Sequence, residues 1–181
     1  MIEAKAAKML ADKAYELGYK YENIFRGCGQ CVLAALQDTF DMRNDDVFKA
    51  TTGIAGSAGM LADTGCGAYI GGALFIGSLL GRERENITDP EGIRFKTHEL
   101  VRKLHDKFIA EFGTAICRDI HMKITGRYFY MPDPDEFTKF DNAGAHTTVC
   151  TEVVGKAARW TAEIAIEENL IDEDKLRSLV K

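Results

Sequence analysis

No block of basic residues occurs in this chain: 23 Lys and Arg stand against 28 Asp and Glu, a formal net charge of −5. Such a balance makes nucleic acid and anionic membrane surfaces poor partners. A membrane span needs about 20 consecutive apolar residues. The uncharged run between Asp63 and Arg82 falls a little short of that and is loaded with glycine, so membrane insertion is not expected. The start, Met1-Ile2-Glu3-Ala4-Lys5, lacks the apolar core of a signal peptide, and the expected location is cytoplasmic. Internal repeats, low-complexity segments and linkers are missing as well, so residues 1–181 are read as one domain, large enough to bury a sizeable core. In a reducing compartment, the five cysteines serve metal or redox chemistry more readily than a disulfide framework.

What the chain does have is helical periodicity around one unusual stretch. From Cys66 to Leu80 there is no charge, and small residues recur four apart: Gly67 with Gly71, Ala68 with Gly72, Ala73 with Gly77. On a helix these form flat stripes that let other backbones approach. A helix apolar all round is a buried one, so the expected fold is all-α, a compact bundle of about five or six helices around this buried glycine-rich centre. Ala4 to Leu17 reads as an amphipathic helix stopped by Gly18, followed by a polar turn from Lys20 to Asn23. Val32, Leu33, Leu36 and Phe40 continue a second helix, and Asp45 to Ala50 a short third. The segment Thr51 to Gly59 lacks the lysine of a phosphate loop and reads as a compliant turn against the central helix. A long helix runs from Glu91 to Phe112, and the last long one from Val149 to Asn169, with Thr148 as its cap and a terminal helix from Asp172 to Val180. Only Ile124 to Phe129 is strand-like. The aromatic stretch Tyr128 to Pro132 either covers a site or anchors a loop, and the residues through Pro134 to Phe137 read as loop. His98 and His105, seven apart on the long helix, share a face but lack a nearby third ligand.

Each cysteine falls at or near an expected helix start: Cys28 and Cys31, then Cys66, Cys117 and Cys150. Unpaired amides and the positive end of the helix dipole favour thiolate, which is both nucleophile and metal ligand. Several local motifs are excluded. Cys28-x-x-Cys31 has no preceding strand for a thioredoxin-type site, Val32 replaces the histidine of a c-type haem attachment, and the remaining cysteines are too isolated for a zinc ribbon. A dispersed set that only the fold can gather suits an iron–sulfur cluster or zinc. A metal-free thiol–disulfide oxidoreductase is the alternative, with Arg118 beside Cys117, as is a zinc-stabilised interaction module.

The ordered pattern resembles the redox-active proteins of the C_GCAxxG_C_C family. The resemblance is carried by Gly65-Cys66-Gly67-Ala68-Tyr69-Ile70-Gly71, Cys31-Val32-Leu33-Ala34-Ala35-Leu36 upstream, Phe112-Gly113-Thr114-Ala115-Ile116-Cys117-Arg118 downstream, and Cys150 with Val153, about residues 25 to 165. It implies a small helical protein in which Cys31, Cys66, Cys117 and Cys150 converge on one cofactor or metal site. The similarity of this domain to part of the split-Soret cytochromes c makes an iron–sulfur cluster the cofactor expected and zinc the alternative. No c-type haem is carried over. Cys28 lies outside the pattern and is expected to be the most dispensable thiol. A redox protein partner is expected, and burial of Phe129, Tyr130 and Trp160 across a two-fold interface would make a homodimer.

Overall fold

The computed structural model describes residues 2–180. Among the described residues there are nine α-helices and no strand. They are α1 (Ala4–Phe25), α2 (Cys28–Phe40), α3 (Asp45–Ala50), α4 (Gly67–Leu80), α5 (Ile93–Phe112), α6 (Cys117–Thr125), α7 (Pro134–Asn142), α8 (Cys150–Glu167) and α9 (Glu173–Leu179). The all-α class stands, while the count exceeds five or six because short helices fill stretches read as turns. Asp133 caps α7 by accepting from the amides of Asp135 and Glu136 at 2.9 Å, and Pro134 takes the first helical position, where its missing N–H costs nothing. The strand-like Ile124 to Phe129 begins as the last turn of α6 and ends as irregular chain.

Long helices form the frame. α1 lies along α8, α8 also packs on α2, α4 and α5, and α4 packs on α2, α5 and α8. α8 and α2 are therefore at least as central as α4, which is buried on one face only. Gly67, Ala68, Gly71, Gly72, Phe75 and Ile76 point inward, whereas Leu74 and Ser78 face solvent. Two of the expected small-residue stripes do bring helices together. A Cβ at Gly71 would run into the carbonyl oxygen of Gly29 on α2, and one at Gly72 into the Thr161 hydroxyl of α8. The third stripe, at Gly77, meets nothing.

α1 does not stop at Gly18. That glycine is buried in the crossing with α8, where its Cβ would lie 3.1 Å from Ala158 Cβ and from the Val154 carbonyl oxygen. The helix continues through the expected polar turn and ends at Phe25, followed by Arg26 and Gly27 in left-handed backbone. This extension, a little over two turns, carries Glu22 into the interior, 2% exposed. Phe129 is core rather than surplus surface, and Trp160 packs edge-on against Phe108 and Phe112. Of the three residues expected to seek a two-fold partner, Tyr130 is the one left exposed.

Candidate functional site: a thiol-lined cavity

Cys66 and Cys117 are brought together by backbone pairing. Cys66 N–H donates to the Ala115 carbonyl at 2.7 Å, Cys117 N–H to Thr64 at 3.1 Å and Arg118 N–H to Ala62 at 2.8 Å. Three bonds thus tie the entry of α4 to the entry of α6, around an antiparallel bridge between Gly65 and Ile116. Cys28 is brought to the same place by glycine. Gly29 and Gly67 lie where α2 crosses the start of α4, and a Cβ at Gly67 would collide with the Cys28 sulfur. The turn read as compliant does approach this crossing, with the Ile54 carbonyl against both glycines.

Cys150 arrives differently. Thr148 is no cap: its hydroxyl donates back to the Gly144 carbonyl, and the chain is already helical as a π-turn from Ala145 to Val149, so the Cys150 amide is engaged by Ala145. Such turns occur often at functional sites because the extra residue re-aims the side chains that follow. α1 holds this turn in place through Tyr19 and Asn23, which donate to the Thr147 and His146 carbonyls at 2.6 and 2.8 Å.

Together these elements enclose a cavity of about 150 Å³, with Cys28, Cys66, Cys117 and Cys150 in its wall. A volume of that order admits a benzene-sized molecule. Met60, Met131, Phe137, Phe140, Val153 and Val154 make most of the rest of the lining apolar. Cys31 is not in the wall. It sits one turn inside α2, and its thiol donates to the Arg26 carbonyl at 3.1 Å. Three of the four cysteines expected to share a site therefore do face one cavity, and Cys28 occupies the fourth place. The difference is angular: Cys28 is the first residue of α2, while Cys31 lies nearly a turn further along the helix.

Burial, the Glu22 carboxylate and the neighbouring Cys66 push the Cys28 thiol well up, opposed by backbone amides of Gly56 and Gly29. Burial raises Cys150 and, with Glu22, Cys31. Cys66 goes the other way. The neighbouring Cys117 thiol, with the amides of Ala68 and Tyr69 at the start of α4, holds it below its ordinary value, while Cys66 and burial hold Cys117 above.

Two histidines unremarked among the sequence motifs also line the cavity. His121, 3% exposed, places Nε2 3.8 Å from Cys117 Sγ and 3.9 Å from Cys150 Sγ. Burial holds its pKa down to about 4, so it is neutral. His146 stands between Glu22, at 3.3 Å from Nδ1, and Asp141, at 3.5 Å from Nε2. A carboxylate in a helix interior reads as a solvated charge, and lone histidines carry no spacing signal; only the extended α1, the first turns of α6 and the π-turn gather them. His98 and His105 lie on α5, away from this wall.

The donor set suits thiolate-bound iron or zinc in kind, since four soft sulfurs share one apolar wall. A cation would also relieve a real conflict. Burial first, and then the Glu22 carboxylate, push Cys28 and Cys150 up, and the neighbouring Cys66 and burial push Cys117 up, so a cation would offset the cost of negative charge on these sulfurs. Among the described residues, however, no group of three or more His, Cys, Asp or Glu side chains has the spacing to grip one metal ion as it stands.

The family model of the putative redox-active proteins, C_GCAxxG_C_C, matches residues 27–164. The chain belongs to this family. Its match begins one residue before Cys28 and spans all four cysteines of the wall. Comparison with curated proteins finds no match, and neither does comparison with solved structures. Among the described residues no helix is long and apolar enough to cross a membrane.

Proposed function

We propose that this member of the family acts in electron transfer or redox sensing through an iron–sulfur cluster held by Cys28, Cys66, Cys117 and Cys150, with Cys31 outside the ligand set. The observation that carries the reading is that these four side chains, from the starts of four different helices, line one apolar cavity. When bound, such a cluster supplies a reversible redox couple. The chain does the rest. Amides of Gly29 and Gly56 support a Cys28 thiolate, and those of Ala68 and Tyr69 a Cys66 thiolate. The apolar wall excludes water, so each charge held there interacts more strongly than it would in solution. A partner redox protein would exchange the electrons.

The test is anaerobic purification with iron and acid-labile sulfide analysis and an absorption spectrum, on the parent protein and on Cys28→Ser and Cys31→Ser. Iron and sulfide that persist in the Cys31 variant and fall in the Cys28 variant are expected. Stoichiometric zinc without sulfide would instead support a zinc-stabilised module.

A second reading is favoured by the Cys66 and Cys117 pair, whose backbones are tied together by hydrogen bonds at the entries of α4 and α6 and which share one cavity wall. In a thiol–disulfide exchange, the Cys66 thiolate would attack a substrate disulfide and release one thiolate. Cys117, after losing its proton, would attack the mixed disulfide at the Cys66 sulfur and release the second. Metal-free parent protein that loses two thiols on oxidation, with Cys66 and Cys117 linked in a peptide map, would make this the function.

A further inference from the structure

We propose that His121 is a positioning residue that donates its Nε2 proton to the sulfurs of Cys117 and Cys150, holding the two as a pair and stabilising negative charge on them. For its cluster readout this rests on the function proposed above; the thiol readout below does not.

His121 follows Cys117 by four residues on α6, so both project from one helix face toward the cavity. Its Nε2 lies nearly equidistant from the two sulfurs, 3.8 and 3.9 Å away, within range of hydrogen bonds to sulfur. The ring is oriented by packing. The Phe140 ring centre is 4.8 Å away and that of Phe129 6.4 Å, and both rings are buried. Its other nitrogen, Nδ1, is buried without a partner. A neutral imidazole carries one proton. On Nδ1 that proton would be a buried donor with no acceptor, whatever the protonation of the two sulfurs. On Nε2 it points between two acceptors, leaving only a lone pair unsatisfied, the less rare of the two defects. The protein thereby gives Cys117 and Cys150 a shared donor from one side chain.

The test uses His121→Phe, which keeps a flat ring beside Phe140 but removes the donor, and His121→Gln, whose side-chain amide can restore one. In the protein without cluster, the loss of a donor to thiolate should slow alkylation of Cys117 and Cys150 by iodoacetamide about tenfold at neutral pH, with Gln recovering part of the rate and Cys31 unaffected. In the cluster-loaded protein, the more negative reduced state loses more, so the reduction potential of the Phe variant should fall; tenfold corresponds to about 59 mV for one electron. Nitrogen-15 NMR of the parent protein should show the Nε2–H tautomer, a readout independent of whether either variant folds. An Nδ1–H tautomer, or alkylation rates unchanged in a folded Phe variant, overturns the proposal. Absence of a cluster in the parent protein overturns the function proposed above while leaving the tautomer and alkylation results to decide this one.

Discussion

Two glycines on α4 provide the sharpest check on how the helices pack. Gly71→Ala and Gly77→Ala are the same chemical change, six residues apart on one helix, and each gains up to about 1 kcal/mol from helix propensity. Their surroundings differ. A Cβ at 71 would meet the Gly29 carbonyl oxygen, with the carbonyl carbon and Cα of Gly29 at 3.1 Å, whereas at 77 nothing lies within 4 Å. The obstacle at 71 is backbone and cannot rotate away, so α2 must shift as a body. Overpacking of this kind costs about 1 to 3 kcal/mol. The propensity gains cancel in the comparison, which leaves that cost as the difference between the variants. At about 2 to 4 °C per kcal/mol for a chain of this size, Gly77→Ala should melt above Gly71→Ala by about 2 to 12 °C, and at or above the parent. Urea and thermal unfolding followed by circular dichroism measure this directly. Equal melting temperatures for the two variants would refute the close α2–α4 contact. Because α2 carries Cys28, a shifted α2 should also speed alkylation of that buried thiol in the Gly71 variant.

Other consequences follow from the same geometry. Cys28→Ser should lose most of the bound iron and visible absorption of anaerobically prepared protein and Cys31→Ser little, as read by metal analysis; the reverse pattern would return Cys31 to the ligand set. Asp89 accepts from the amides of Ile93 and Arg94 at 2.8 and 3.1 Å and caps the start of α5. Asp89→Ala should therefore lower stability by about 1 to 2 kcal/mol in urea unfolding and Asp89→Asn by less. Phe140→Ala should cost about 3 to 5 kcal/mol, since its buried ring touches the cavity and packs on His121, Phe129 and His146; a loss under 1 kcal/mol would mean that this wall is not packed. Iron removal by a chelator should lower the melting temperature of the loaded protein, because a group that binds only the folded state stabilises it.

Composition and periodicity alone determined the helical class, the cores of the long helices and the glycine stripe of α4, because these depend on residues three and four apart, which neighbouring turns already bring together. They also marked the cysteines as the candidate chemistry. Boundaries were less legible. Gly18 reads as a stop in isolation, yet it is the residue that lets α1 run close past α8, and a glycine's role depends on what crosses it. The choice between Cys28 and Cys31 was beyond local pattern as well, since three residues apart on a helix are separated by an angle that means nothing until a cavity is fixed on one side. Glu22, His121 and His146 carry no mutual spacing in the chain and come to line one wall only through the length of α1, the first turns of α6 and the π-turn before Cys150. Tertiary packing decided those positions, because a buried site is defined by which helix faces meet, and that depends on long-range contacts no short window contains.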